Sequence, residues 1–553
     1  MSRISQLTVA LTVALAAASC IGADGGSVWD AEESLPRAES ESLVVESTRP
    51  DNANATVDVP ILAAPIGGVY VAADGSLVTT RVESGALVTT RTAVDLPTPD
   101  GQKALVLARP ARIADGEVAV AYNLIDEQSP LDVDAEVRGH RLAVYDLEAG
   151  ALDSDYSVVA LSAEGSIRAD LVAAVGPRVD VERIFVGYGA TAAPGGVIAV
   201  DPNAWRAGGE AVVGEFATTT GAPGACAETS TRDDAECGGG VHGQAAIGLL
   251  EGADASYDVL VATGKGATDV TRGDFANGVL RLDSDLQYDP ACDADICAAE
   301  GGSSDACLRS CENFFVPRPV EREAEPVASF GAGCDAGAVL DCSSAAAFDG
   351  SSAPVVVASG GDTVLVWAAP DGYLYAMPAS NWSAADVRVR VADAYGDAMS
   401  EAVDAHTPMT TPVADGGAVL LPTYSAGNAP AGIARYAVQA GDATTIARTW
   451  SAPPLDHPSA TERFRERPSR LAGGAIVETG ALPRLFAPRQ FGSERGIDVF
   501  IRGDGAVSAT SAPIFERAGT TQTVAGHVNG DGAAFDAVVV ETTRPYAPSK
   551  GDQ

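Results

Sequence analysis

Val364-Leu-Val-Trp-Ala-Ala-Pro-Asp-Gly-Tyr-Leu-Tyr-Ala-Met377 consists of two short runs of valine, leucine and aromatic residues joined through Pro370, Asp371 and Gly372. β-Branched and aromatic side chains suit a pleated, half-buried strand, and Asp-Gly accepts the backbone angles of a tight reversal. The stretch therefore reads as an antiparallel pair. Its texture recurs down nearly all of the chain, so a circular stack of small sheets is expected.

The candidate pairs begin near Gly67, Gly116, Arg183, Asp258, Thr363, Gly417, Gly496 and Asp536, at successive separations of 49, 67, 75, 105, 54, 79 and 40 residues. This irregular spacing argues against a leucine-rich or ankyrin solenoid. It suits a propeller whose blades keep their inner strands and vary their outer loops. Each small sheet has two apolar faces that neighbours must cover, and ring closure protects the sheet ends from pairing with another chain. The expected fold is all-β: a β-propeller of about seven or eight blades over residues 61–545, with long disulfide-bearing loop insertions. A last strand can complete the first blade, so eight pairs need not mean eight blades. Two or more separate β-sandwiches are the alternative. Long helices are not expected, the charged stretch 461–469 being a modest candidate.

The first residues address the compartment. Arg3 is followed by an apolar run over residues 7–18, too short to span a bilayer permanently, and then by Ser19-Cys20, so residues 1–19 read as an export signal. Ala17-Ala-Ser-Cys20 resembles a bacterial lipoprotein box, which implies Cys20 as a lipidated mature N-terminus. In that resemblance Ile21, in place of Asp, implies outer-membrane sorting. Residues 20–60, rich in small and acidic side chains at their start, read as a flexible tether, and residues 546–553 as a tail. The expected location is the bacterial cell envelope, as an outer-membrane lipoprotein facing periplasm or exterior; a soluble secreted protein is the alternative.

The 553 residues are 46% hydrophobic, enough for one large core or several, and carry 36 basic against 75 acidic side chains, a formal net charge of -39. Such a surface repels DNA, RNA and anionic lipid, which excludes a nucleic-acid partner and leaves the N-terminal lipid as the only membrane attachment. There are nine cysteines. With Cys20 set aside, Cys226, Cys237, Cys292, Cys297, Cys307, Cys311, Cys334 and Cys342 cluster within one third of an exported chain, which reads as up to four disulfides of undetermined pairing. A Cys-rich insertion is expected over residues 284–345. Cys307 and Cys311 lie four apart, but no Cys-x-x-Cys pair or histidine cluster accompanies them, which argues against zinc or an iron–sulfur cluster.

Asp258-Val-Leu-Val-Ala-Thr-Gly-Lys-Gly266 followed by Asp274-Phe-Ala-Asn-Gly-Val-Leu-Arg-Leu-Asp283 resembles blades of the pyrroloquinoline-quinone (PQQ) dehydrogenase-like β-propellers. Arg183-Ile-Phe-Val-Gly-Tyr-Gly189 with Gly196-Val-Ile-Ala-Val-Asp201, and Gly372-Tyr-Leu-Tyr-Ala-Met377, are similar to two more. The likeness implies the scaffold, which serves enzymes and binding proteins alike. It also implies, for its enzymes, a carboxylate base, calcium held by Glu, Asn and Asp, a stacking tryptophan and often adjacent cysteines. This chain has no adjacent cysteines, Lys265 stands where the Thr-Gly turn usually supplies Asn, and its five tryptophans mark no repeated cofactor floor. Asp274 and Asn277 are the polar candidates, with turn capping the simpler role.

Counting Asp289 as position one puts Asp293 at five, Asp295 at seven and Glu300 at twelve of an EF-hand-like calcium loop, although position six is Ala294 where glycine is needed and position three is Ala291. A disulfide-pinned acidic surface loop is the competing reading. His140, His242, His406, His457 and His527 are far apart; Gly238-Gly-Gly-Val-His-Gly243 is loop-like, so His242 reads as a turn residue or as one facing a central cavity. No serine-hydrolase elbow or phosphate loop occurs. The chain is thus expected to be a noncatalytic exported lipoprotein scaffold without a required cofactor, binding a protein or other envelope ligand through propeller loops. A divergent PQQ-dependent alcohol or sugar dehydrogenase using calcium, and a structural envelope-assembly protein, are the alternatives.

Overall fold

The computed structural model describes residues 96–450 in side-chain detail, except 115, 131–134, 164, 190–194, 220–237, 242, 244, 253, 265, 267, 318–351, 370–373, 381, 383–411, 422–433 and 441–443. Elsewhere, and at some of these positions, it describes backbone strands alone. Eight sheets of three or more strands follow one another along the chain, with one two-stranded ribbon, Thr268–Asp269 and Asp274–Phe275. Each of the eight expected pairs begins in, or one residue before, a strand of a different sheet. The opening stretch forms the antiparallel strands Asp362–Ala368 and Tyr373–Pro378, with Trp367 opposite Tyr375. Pairing within sheets is antiparallel except at one place. Strand Ser42–Thr48 runs parallel to Ala534–Thr542 in the eighth sheet, so a strand occupies part of the stretch read as tether.

Alternation along the strands explains how the sheets stack. In the third sheet, Ile184, Val186 and Tyr188 of strand Arg183–Ala190 join a core with Ala119, Ala121, Leu142 and Val144 of the second. Phe185 on the same strand points the other way, into a core with Val259, Val261 and Leu280 of the fourth. Leu260 and Val279 of the fourth sheet meet Leu365, Trp367 and Tyr375 of the fifth. Val364, Val366 and Leu374 of the fifth meet Val419, Leu421 and Tyr436 of the sixth. A period of two thus places every sheet from the third to the fifth between two cores. Each fully buried large apolar side chain contributes roughly 1.5–3 kcal/mol. Trp367 also satisfies its indole, with Nε1 donating to Ser352 O at 2.7 Å.

Polar ties accompany the cores. Leu171 N donates to Arg109 O at 3.0 Å and Ala353 N to Ala245 O at 2.6 Å, joining the chain at the leading ends of successive first strands. Arg183 Nη2 reaches Asp285 at 2.8 Å, and Arg281 Nη1 donates to Ala379 O at 2.9 Å, linking third to fourth and fourth to fifth sheets. Pro110, Pro354 and Pro412 each directly precede a strand, the latter two the first strand of a sheet, where a missing N–H costs no ladder bond. At the end of the series, strand Thr520–Val528 lies beside Ala475–Val477 of the seventh sheet and Ile61–Ala64 of the first. The architecture is all-β and propeller-like. Among the described residues the helices are three and short: α1 (Pro202–Arg206), α2 (Ala294–Glu300) and α3 (Asp305–Ser310). The stretch 461–469 lies outside the described residues.

Candidate functional site

Second strands end, and third strands begin, on one face of the sheet series, and there the second, third and fourth sheets are laced together by buried polar groups. Asn123, near the end of strand Glu117–Asp126, is fully buried. Its Nδ2 donates to Ile167 O at 3.1 Å and Leu105 O at 3.3 Å, and its Oδ1 accepts from Ile167 N at 2.8 Å. Opposite it in the sheet, His140 Nε2 lies 2.9 Å from Gly165 O. Burial, with a smaller contribution from the Arg141 charge, holds the His140 pKa below its ordinary value despite that carbonyl. The imidazole is therefore neutral and donates from Nε2.

Between third and fourth sheets runs the segment Gly238 to Val241. Val241 N donates to Tyr188 O at 3.0 Å, Gly264 N to Gly240 O at 2.9 Å and Asn277 N to Gly264 O at 2.9 Å. Thr218 Oγ1 shares its proton between Gly195 O at 2.8 Å and Gly239 O at 2.7 Å, and Thr219 Oγ1 donates to Gly238 O at 3.0 Å. The approach is close enough to demand glycine: a Cβ on Gly187 would stand 2.7 Å from Ala169 Cβ and 2.8 Å from Val241 Cγ1. Asn277 fastens the next turn. With φ of 60°, it donates from Nδ2 to Gly266 O at 2.6 Å and Thr268 Oγ1 at 3.0 Å, and accepts from Gly266 N at 3.2 Å. Asp274 is buried and pairs with Arg272 Nε at 3.3 Å, in the ribbon pair next to the turn, whose Thr271 and Arg272 are exposed.

Both polar candidates of the resembling blade, Asp274 and Asn277, are thus brought to this face, and Asn277 is engaged in holding backbone. Lys265 and His242 lie outside the described residues, as do His406, His457, Cys20, Cys226, Cys237, Cys334 and Cys342, while His527 stands in strand Thr520–Val528, described as backbone alone. Thr218, Thr219 and Asn123 were not legible as site residues, since threonines and asparagines at the ends of strand-like runs carry no local signal of which distant backbone they bond. Gly238-Gly-Gly was the available sign of close backbone approach.

The acidic loop takes a different form from a calcium loop. Asp289 accepts from Ala291 N at 2.8 Å, and Asp293 caps α2 by accepting from Asp295 N at 3.0 Å and Ile296 N at 3.1 Å. Asp295 lies in the first turn of α2 and Glu300 at its last residue. At a helical rise of about 1.5 Å per residue, Asp295 and Glu300 are separated along the axis of α2, while Asp289 stands before the helix. Among the described residues no group of three or more His, Cys, Asp or Glu side chains is placed to hold a metal ion. Two nested disulfides, Cys292–Cys311 and Cys297–Cys307, close the segment.

The sequence matches no protein-family profile, and it matches no curated protein. Among solved structures the chain is similar to dihydro-heme d1 dehydrogenase NirN, at 10% identity over 83% of this chain and 68% of that one, with a TM-score of 0.41. It is similar to the Dos1 propeller at 8% identity over 86% and 89%, TM-score 0.41, and to Saccharomyces cerevisiae Sqt1 at 7% over 87% and 98%, TM-score 0.40. These likenesses assign no activity to the chain. Chemically, the described face offers strand-end backbone held by buried hydrogen bonds from Asn123, Thr218, Thr219 and Asn277. Among the described residues, no helix is long and apolar enough to cross a membrane.

Proposed function

We propose that this chain is a noncatalytic, exported β-propeller of eight blades, of the PQQ-like type and held to the outer membrane through lipid on Cys20, whose loops bind a protein or other envelope ligand. The observation that carries the binding role is the lacing of the loop face. Asn123, Thr218, Thr219, Thr268 and Asn277 all direct hydrogen bonds at described loop or strand-end backbone, so that this backbone is held in place before any ligand arrives. Ring closure is supported by strand Thr520–Val528 lying against both the first and the seventh sheet. Export is supported by two cystines, since such bonds persist in oxidising compartments.

The test places a photo-crosslinking residue at Thr271, on the exposed ribbon tip, or at Glu148, exposed in the turn after strand Val137–Asp146 at the other end of the strands. Adducts with a discrete envelope partner from position 271 alone support the reading. Equal adducts from both positions, or none from either, remove it. Intact mass of the membrane-extracted protein tests the anchor separately: a diacylglycerol increment on Cys20 is expected.

A further inference from the structure

The segment between strands Val279–Leu282 and Phe314–Phe315 has almost no apolar core of its own. α2 buries only Cys297, and α3 only Cys307 and Leu308. Helices of this length are unstable alone, and the nested cystines hold the two together, beside a hydrogen bond from Asp293 N to Ser310 Oγ at 2.9 Å. The outer of them, Cys292–Cys311, belongs to the core shared by third and fourth sheets, where Cys311 is fully buried and Cys292 partly so.

That same segment covers the outer seam between those sheets. The fourth sheet ends in a strand of two residues, Phe314–Phe315, which leaves the seam short of cover. Tyr288 fills it, its ring 4.8 Å from Phe275 and 5.2 Å from Phe216, while Phe275 stands 5.5 Å from Phe314. Asp285 lies so close to the edge strand Val212–Ala217 that a Cβ on Gly214 would be 2.8 Å from its carbonyl oxygen. On the far side Val270 N donates to Gly302 O at 3.2 Å, tying the link between α2 and α3 to the exposed ribbon.

We propose that this segment is a redox latch: with both cystines formed it clamps the seam and steadies the ribbon, and on reduction it lifts, uncovering strand Val212–Ala217 and the Phe216, Phe275 and Phe314 rings. The reductant is a dithiol. Its thiolate attacks the sulfur of Cys292, the less buried residue of the outer bond, and Cys311 leaves as a thiolate that takes up a proton. The second thiol of the reductant then displaces Cys292, so that two electrons pass to the cystine and the reductant closes into its own disulfide. Cys297–Cys307 follows by the same exchange once the segment loosens. The latch extends beyond ligand binding, because it would couple the redox state of the envelope to the shape of the ribbon tip.

Hydrogen exchange of the full-length protein, read by mass spectrometry before and after dithiothreitol, tests this. Reduction should accelerate exchange in Val212–Ala217 and in the ribbon by about tenfold or more, with Asp362–Ala368 of the fifth sheet unchanged and reoxidation restoring protection. The Cys292→Ser/Cys311→Ser variant should reproduce the change without reductant. Tyr288→Ala should accelerate exchange in Val212–Ala217 while both cystines remain intact. Unaltered exchange in protein whose four cysteines are shown by mass to be reduced overturns the proposal. So does equal acceleration in Asp362–Ala368, which would make the cystines general staples.

Discussion

Asn277 occupies the left-handed backbone region and satisfies both polar groups of Gly266 from a fully buried position. Asn277→Ala removes those bonds and keeps the unfavourable φ, so a loss of about 2–4 kcal/mol is expected in urea denaturation. Asn277→Gly relieves the backbone but not the bonds, and should recover roughly 1 kcal/mol of that loss. His140 makes a second prediction at this scale. Its pKa is lowered in the folded chain, so the unfolded chain binds the proton more readily. The stability it supports is complete above the free imidazole value of about 6.5 and is lost as pH falls through the lowered folded value. Urea midpoints across pH 7.5 to about 5 should fall more steeply in the native protein than in His140→Gln, with the difference arising below about 6.5. Parallel curves would show that burial does not lower the proton affinity of His140 in the folded chain.

At the scale of elements, the third sheet depends on glycine where strands Ala193–Val200 and Val212–Ala217 meet. A Cβ on Gly196 would run into Phe216 O and the Tyr188 hydroxyl. Backbone cannot swing aside as a side chain can, so Gly196→Ala should cost about 1–3 kcal/mol and accelerate exchange in Val212–Ala217 ahead of the fifth sheet. Loss of stability spread evenly over both sheets would show that the strands accommodate the methyl. Strand identity was legible at this scale because valine-rich runs of four to ten residues alternate between two cores. The short helices were not: α2 and α3 bury few residues, and what defines them is capping by Asp293 and Ser304 together with the cystines. An acidic spacing that suggested a calcium loop became a capped helix for the same reason.

For the whole molecule, a net charge of -39 means that folding gathers like charges which the unfolded chain keeps apart. Salt shortens the range of that repulsion to about 10 Å at 0.1 M. The melting temperature should therefore rise by several degrees between about 0.02 and 0.5 M sodium chloride, as read by calorimetry. A fall would mean that inter-sheet pairs such as Arg183–Asp285 outweigh the repulsion, since screening weakens those contacts too.

The sequence by itself determined the all-β class and the recurrence of antiparallel strand pairs, because these follow from local alternation, turn residues and composition, all readable within a dozen residues. It also pointed to disulfides while leaving their partners open. Tertiary structure alone decided that Cys292 meets Cys311 and Cys297 meets Cys307, and that Asn123, Thr218, Thr219 and Asn277 converge on one loop face. Those choices depend on which backbone oxygen or sulfur a neighbouring sheet brings within about 3 Å, and that distance is set by packing between residues far apart in the chain.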